Sequence, residues 1–190
     1  MSDAPVRILG FAGSLRRASF NRALLRVAVS LAPADAVIET FDLIPIPPFN
    51  EDVRVAGEPA AVTEFKARVR AADGLLIVTP EYNYSIPGVL KNAIDWLSRP
   101  PAESPLKAKP AAILGASNGG FGTVRSQLHL RQVLLGSGMH GMPGPELMVS
   151  RAQDKFDAEG NLTDEKTRDG VRAVVTALVA FARSEAAARR

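Results

Sequence analysis

The chain has no cysteine and only two histidines, His129 and His140, among its 190 residues. The first absence excludes disulfides, thiolate nucleophiles, CxxC redox pairs, iron–sulfur clusters and cysteine-ligated zinc. The second excludes a three-histidine zinc centre. Redox work on such a chain has to be carried by an organic cofactor. A dominant charge is also lacking: 23 basic residues stand against 20 acidic ones, for a net +3. The charges are interspersed, with no basic run and no interleaved aromatics, so nucleic acid is not an expected partner. The opening residues Met1-Ser2-Asp3-Ala4-Pro5 lack the basic-then-apolar pattern of a secretion signal. The most apolar late stretch, residues 173–182, falls far short of the roughly 20 residues that span a bilayer. A cytoplasmic protein without a membrane partner is expected.

What is present is an ordinary globular composition, 46% hydrophobic and 23% charged, in a length that suits one domain over residues 1–190. Short apolar runs alternate with amphipathic segments. Val6–Gly10, Val37–Phe41, Leu75–Thr79, Pro110–Ser117 and a Gly/Pro-broken stretch near Met139–Val149 read as five strands. Leu75-Leu76-Ile77-Val78 shows no polar alternation at all, which places it in a parallel sheet covered on both faces. Helices are predicted from Phe20, over about 60–72, from Pro87, over about 123–135, and along Val171, Val174, Val175, Leu178 and Phe181. Between residues 42 and 59, Pro45, Pro47, Pro48 and Gly57 predict irregular structure. The sum is an α/β, doubly wound, five-stranded parallel sheet with helices on both faces. Ligands of such sheets bind beyond the carboxyl ends of the strands.

Three loops therefore carry the chemistry. Gly13-Ser14-Leu15-Arg16-Arg17-Ala18-Ser19-Phe20-Asn21 is neither a dinucleotide fingerprint nor a P-loop. It nevertheless sets hydroxyls, an amide and Arg16, Arg17 and Arg22 at the start of a helix. Cations at the positive end of a helix dipole call for an anion, and a phosphate would satisfy free N–H groups, serines and arginine together. Thr79-Pro80-Glu81-Tyr82-Asn83-Tyr84-Ser85-Ile86-Pro87-Gly88 brackets two tyrosines and an asparagine between prolines. Such an amphipathic ledge could flank a flat heterocycle. Gly115-Ala116-Ser117-Asn118-Gly119-Gly120-Phe121-Gly122 lets backbone approach a ligand closely. A phosphate at one end and a flat ring at the other describe a mononucleotide. FMN fits better than ATP, because no lysine-bearing P-loop and no magnesium-ligand cluster is present.

With these residues in view, the chain resembles the NADPH-dependent FMN reductase family, the flavodoxin-like quinone, azo and chromate reductases. The resemblance rests on Gly13-Ser14-x-Arg16-x-x-Ser19-x-Asn21, on the long run from Pro80 to Trp96, and on the Gly-rich third loop. It implies that Ser14, Arg16, Ser19 and Asn21 hold the FMN phosphate. It implies that Pro80, Glu81, Tyr82 and Asn83 line the isoalloxazine, with Ser117 and its neighbours closing the site. NADPH, or NADH, would be the reductant and a small molecule the acceptor, with no catalytic side chain and no metal required. A subfamily often carries a tyrosine in the helix after the fourth strand. Leu128 stands there instead, so an intersubunit network through that side chain, Arg125 and Glu146 is not expected.

Two further expectations come from the residues themselves. Val89, Leu90, Ala93, Ile94, Trp96 and Leu97 cover an arc of roughly 160°, and the helix near residues 123–135 is apolar around most of its circumference. Both predict a helix-on-helix homodimer or homotetramer, the alternative being deeper burial beneath a loop. His129 reads as a structural or interface residue, and Lys91 with Asp95 as a helix-surface pair. Two rival functions are a non-enzymatic flavodoxin-type electron carrier, for which an acidic surface is expected, and a flavin-free module binding another phosphorylated ligand.

Overall fold

Nearly every position of the central strands is buried, because each strand alternates its side chains between two covered faces. In chain order the computed structural model, which describes residues 4–189, contains β1 (Val6–Ala12), α1 (Phe20–Ser30), β2 (Ala36–Phe41), α2 (Glu51–Ala56), α3 (Ala60–Ala71), β3 (Gly74–Val78), α4 (Gly88–Leu97), β4 (Pro110–Ala116), α5 (Val124–Gly136), β5 (His140–Gly141), β6 (Leu147–Val149) and α6 (Glu165–Ala188). The strand order is β2-β1-β3-β4-β5, with β6 also on β4, and every pairing is parallel. The order switches between β1 and β3, so the crevice expected of a doubly wound sheet opens at their carboxyl ends. This is the flavodoxin-like architecture predicted.

The alternation divides the core in two. Ile8, Leu76, Val78, Ala112 and Leu114 face α1 and α6, where they meet Leu24, Val171, Val175 and Leu178. Leu9, Phe11, Leu75, Ile77, Ala111 and Ile113 face α3, α4 and α5, where they meet Phe65, Leu90, Trp96 and Leu130. No residue belongs to both clusters.

Three local features differ from expectation. The fifth strand position is shared by two short pieces: β5 pairs with the start of β4, and β6 with its end. Pro143 and Pro145 between them have no N–H to give to a ladder, which breaks the strand. Residues 42–59 were expected to be irregular, yet α2 forms between Pro48 and Gly57. The Asn50 side chain accepts from the Asp52 N–H at 2.9 Å, and Arg54 bonds Glu51. An N-cap and two acids in the first turn suffice where the prolines have already ended.

The wide apolar arc of α4 is the third. It is covered within the chain by residues 47–49, not left for a partner. The Trp96 Nε1–H and the Asn92 side-chain N–H both donate to the Pro47 carbonyl at 2.8 Å, Phe49 N donates to the Asn92 side chain, and the Phe49 ring stands edge-on to Trp96. For α4, burial beneath a loop therefore replaces the interface reading. In contrast, α5 leaves Leu128 and Leu135 exposed, at 54% and 79%.

Candidate functional site

The three loops emerge side by side. Ala12, Val78 and Leu114 are in register across β1, β3 and β4, and the next amides continue the ladder: Gly13 N donates to Val78 O, and Thr79 N to Leu114 O. Space is tight at this junction, since a Cβ on Gly13 would crowd the Leu90 side chain at 3.2 Å.

Beyond it the first loop is rich in unused donors. The amides of Ser14, Leu15, Arg16, Arg17 and Ala18 donate to no group among the described residues. Ser14 is only 3% exposed, yet its hydroxyl has no hydrogen-bond partner there. Ser14 Oγ itself is not sealed off, the buried side-chain atom without a partner among the described residues being Gln127 Oε1, so the hydroxyl is reachable by a ligand. Ser19 is the N-cap of α1, its Oγ accepting from Asn21 N at 3.2 Å. Arg16 and Arg17 face no carboxylate among the described residues, and the Arg16 guanidinium lies 6.0 Å from the Phe20 ring centre. Free amides, a partnerless hydroxyl and unneutralised guanidinium groups at a helix start fit a phosphate.

Asn21 is placed differently from its neighbours. Its side chain is buried and bonds the Ala116 backbone twice, Nδ2 donating to the carbonyl and Oδ1 accepting from the amide, each at 2.9 Å. It ties the start of α1 to the end of β4, so it braces the first loop against the third. Arg22 is likewise committed, donating two hydrogen bonds to Asp42 at 2.7 and 3.3 Å.

Burial alone would raise the Asp42 carboxyl, but the Arg22 bonds and the Ile44 N–H outweigh it and hold the group below the usual aspartate range. A carboxyl whose folded pKa is depressed contributes stability above its unfolded value, near 3.9, and loses it as pH falls through the lower folded value. Asp42→Asn is expected to flatten that acid limb, read as Tm against pH below about 4. Parallel curves for variant and parent would refute the linkage.

The second loop is a two-residue hairpin turn. Tyr82 and Ser85 exchange both backbone hydrogen bonds at 3.0 Å, and Asn83 and Tyr84 between them have φ of 48° and 66°. Positive φ at both central positions is what a type I′ turn demands, and tyrosine is an unusual residue to adopt it. The strained turn holds Tyr82, Asn83 and Tyr84 exposed at the mouth of the site.

Glu81 turns away from that mouth. Its Oε2 accepts from the amides of Arg125 and Ser126 at 3.0 and 3.3 Å, and its Oε1 from the Arg125 guanidinium at 2.5 Å. Thr123 makes no capping bond to α5, so a carboxylate 44 residues earlier caps that helix. Glu81 thus has its backbone, not its carboxylate, available to a ring. The Ser126 hydroxyl, which donates to the Pro80 carbonyl at 2.9 Å, secures the same loop.

In the third loop Ser117 Oγ accepts from Gly119 N at 3.1 Å, and Ser117 N donates to Val149 O. An added Cβ at Gly120 would meet nothing within 4 Å, so the backbone there is open to a ligand. Arg125 lies between aromatic rings, 3.8 Å from the Tyr84 ring centre and 4.9 Å from that of Phe121, and joins the second loop to the third.

Sequence reasoning missed Glu81 as a cap, Arg125 as a bridge and Asn21 as a brace, because each has a partner 41 to 95 residues away. His129 Nδ1 sits 3.0 Å from Ser85 Oγ, while Lys91 and Asp95 pair at 2.6 Å as their spacing predicts. Within the chain Arg125 donates to Glu81 and Arg131 to Glu146, the latter at 3.0 Å. No group of three or more metal-ligating side chains occurs among the described residues.

A model of the NADPH-dependent FMN reductase family matches residues 6–154. The chain is 52% identical over 183 residues to an NAD(P)H-dependent FMN reductase of Pseudomonas aeruginosa, covering 96% of this chain and 98% of that one. It is 42% identical to a quinone reductase of Escherichia coli, with 93% and 95% covered. Among solved structures, the flavoenzyme NAD(P)H:(acceptor) oxidoreductase of Paracoccus denitrificans superposes with a TM-score of 0.85 at 36% identity, over 95% of this chain and 98% of that one.

Proposed function

The chain belongs to the NADPH-dependent FMN reductase family, and from that premise we propose how its own residues do the family's work. It is an FMN-dependent NAD(P)H oxidoreductase that passes electrons to a small-molecule acceptor. The likeness to reductases over nearly the whole chain favours this over the electron carrier. The observation that carries the residue-level reading is the first loop, with five unused amides and the partnerless Ser14 hydroxyl beside an unpaired Arg16.

In this reading Ser14, Arg16, Ser19 and the amides between them hold the FMN phosphate, and Asn21 keeps the loop in place from behind. Pro80, Tyr82, Asn83 and the Glu81 backbone border the ring on one side, and Ser117 with the open backbone at Gly120 borders it on the other. Bound FMN supplies the two-electron chemistry between nicotinamide and acceptor. The chain supplies position and field, so no side chain has to act as acid, base or nucleophile. Tyr82 and Tyr84, held out by the strained turn, offer planar apolar surface against which a flat substrate can lie. Quinones are the acceptors this surface suits best, with azo compounds, metal oxyanions and free flavin as further substrates.

We further propose one domain over the whole chain, a cytoplasmic setting and a homodimer or homotetramer. Among the described residues no helix is long and apolar enough to cross a membrane. Support for assembly now rests on α5 alone, through exposed Leu128 and Leu135.

The test is the visible spectrum of FMN-reconstituted, desalted protein before and after anaerobic NADPH. A retained band that bleaches is expected. A retained band that neither NADPH nor NADH bleaches would favour the carrier, and no retained band the flavin-free module. Arg16→Ala is expected to weaken FMN binding by about 1.5–3 kcal/mol, as for a lost charged hydrogen bond. An unchanged dissociation constant in an equilibrium titration would remove Arg16 from the phosphate site.

A further inference from the structure

Two hydroxyls converge on one carbonyl at the base of the second loop. Thr79 Oγ1 lies 2.8 Å from the Pro80 carbonyl oxygen and Ser126 Oγ 2.9 Å from the same oxygen, while the two hydroxyls are 3.1 Å apart. Thr79 and Ser126 are both completely buried. Three oxygens in mutual contact share two protons here. If one hydroxyl donates to the other, the second still donates to the carbonyl, so the Pro80 oxygen is never left without a donor. Glu81 fastens the same peptide from its other end, its carboxylate accepting from the Arg125 and Ser126 amides.

A peptide held in this way has one orientation. The bond between Pro80 and Glu81 is trans, so its N–H points opposite to its carbonyl. The carbonyl is turned into the interior between β3 and α5, and the Glu81 N–H is therefore turned out of it. That N–H donates to no group among the described residues. On the outer side stands the first loop, since a Cβ on Gly13 would lie 3.5 Å from the Pro80 ring. Without the two hydroxyls the peptide would be free to present either its donor or its acceptor to a ligand. With them it presents the donor.

We propose that Thr79 and Ser126 are positioning residues, which by holding the Pro80 carbonyl inward present the Glu81 N–H as a fixed donor to an electron-rich edge of the flavin ring. The inference rests on the reductase reading above, and it gives neither hydroxyl a contact with the ring. A fixed N–H dipole stabilises the negative charge that arrives with electrons. It therefore tightens the binding of reduced FMN more than that of oxidised FMN, whereas a carbonyl in its place would do the reverse. The pair sets the flavin's appetite for electrons from beneath the loop.

The test combines a potential with an exchange rate. Ser126→Ala joined to Thr79→Val removes both donors. In that double variant the ratio of the dissociation constants of reduced and oxidised FMN is expected to rise at least tenfold, read as a midpoint potential about 30 mV more negative for a two-electron couple. Thr79→Ser keeps the hydroxyl and should keep the parent potential, although it loses a buried methyl and with it some Tm. In the parent protein, hydrogen exchange at the Glu81 amide is expected to slow at least tenfold when FMN is bound. A double variant that retains FMN at the parent potential, or a Glu81 amide that exchanges equally fast with and without FMN, overturns the inference and leaves the reductase standing. Should the double variant fail to fold or to retain FMN, the exchange rate in the parent decides alone. A parent that retains no FMN, or whose flavin neither nicotinamide reduces, would instead overturn the reductase reading, and this inference with it.

Discussion

Gly115→Ala is expected to lower stability by at least about 3 kcal/mol and to abolish FMN binding. Gly115 lies in β4, one residue before its carboxyl end, where β3 and the start of α5 both approach the backbone. An added Cβ would overlap Thr123 Oγ1 and the Thr79 carbonyl oxygen outright, and would stand 2.8 Å from Thr123 Cβ. Neither neighbour yields readily: Thr79 and Thr123 are both completely buried, and one of the colliding atoms is backbone. Overpacking typically costs about 1–3 kcal/mol where side chains can give way, and more where they cannot. For a domain of this size each kcal/mol moves Tm by roughly 2–4 °C, so a fall of about 6–12 °C or more is expected. The second and third loops part at the same point, which is why the cofactor site is lost together with stability. Gly120→Ala is the control, because nothing lies within 4 Å of its added Cβ. A Gly115→Ala protein melting within a degree or two of the parent would show that this junction is not packed as described.

Trp96→Ala is expected to cost about 3–5 kcal/mol, the range for removing a large buried aromatic. Trp96 is fully buried in the core beneath α3, α4 and α5. It also holds residues 47–49 in place through its bond to Pro47 and its contact with Phe49. The two contributions separate with Trp96→Phe, which keeps most of the apolar volume but leaves Pro47 only the Asn92 donor. That change is expected to cost about 1–2 kcal/mol more than an ideal volume-conserving swap. Denaturant midpoints of the three proteins would show the order. If the phenylalanine variant were as damaged as the alanine one, the hydrogen bond rather than the volume would be what matters.

The features legible in the sequence are those written in short-range pattern. The uninterrupted apolar run at Leu75–Val78 identified a strand buried on both faces, and Gly, Ser and Arg after β1 marked the loop whose amides are left unused. The hidden features depend on groups distant in the chain. The arc of α4 reads the same whether another subunit or the Pro47–Phe49 segment covers it, because periodicity reports how much of a helix is buried and not by what. The family resemblance puts Asn21 and Glu81 at the cofactor, and nothing in their local sequence points to the partners their side chains have. The structure spends the Asn21 side chain on β4 and the Glu81 carboxylate on α5. Even α2 was obscured by the prolines before it and Gly57 after it, although Asn50-Glu51-Asp52 is a recognisable helix start.

The sheet also partitions change. The helix that opens after the first loop packs in one apolar cluster, while the helices that follow the second and third loops pack in the other. Substitutions that share no neighbours add their effects with little interaction. Repacking on one face of the sheet can therefore proceed with little effect on the other, except at the edge where the loops emerge. There Asn21 bonds Ala116 across the sheet, and a change on either face is felt by both.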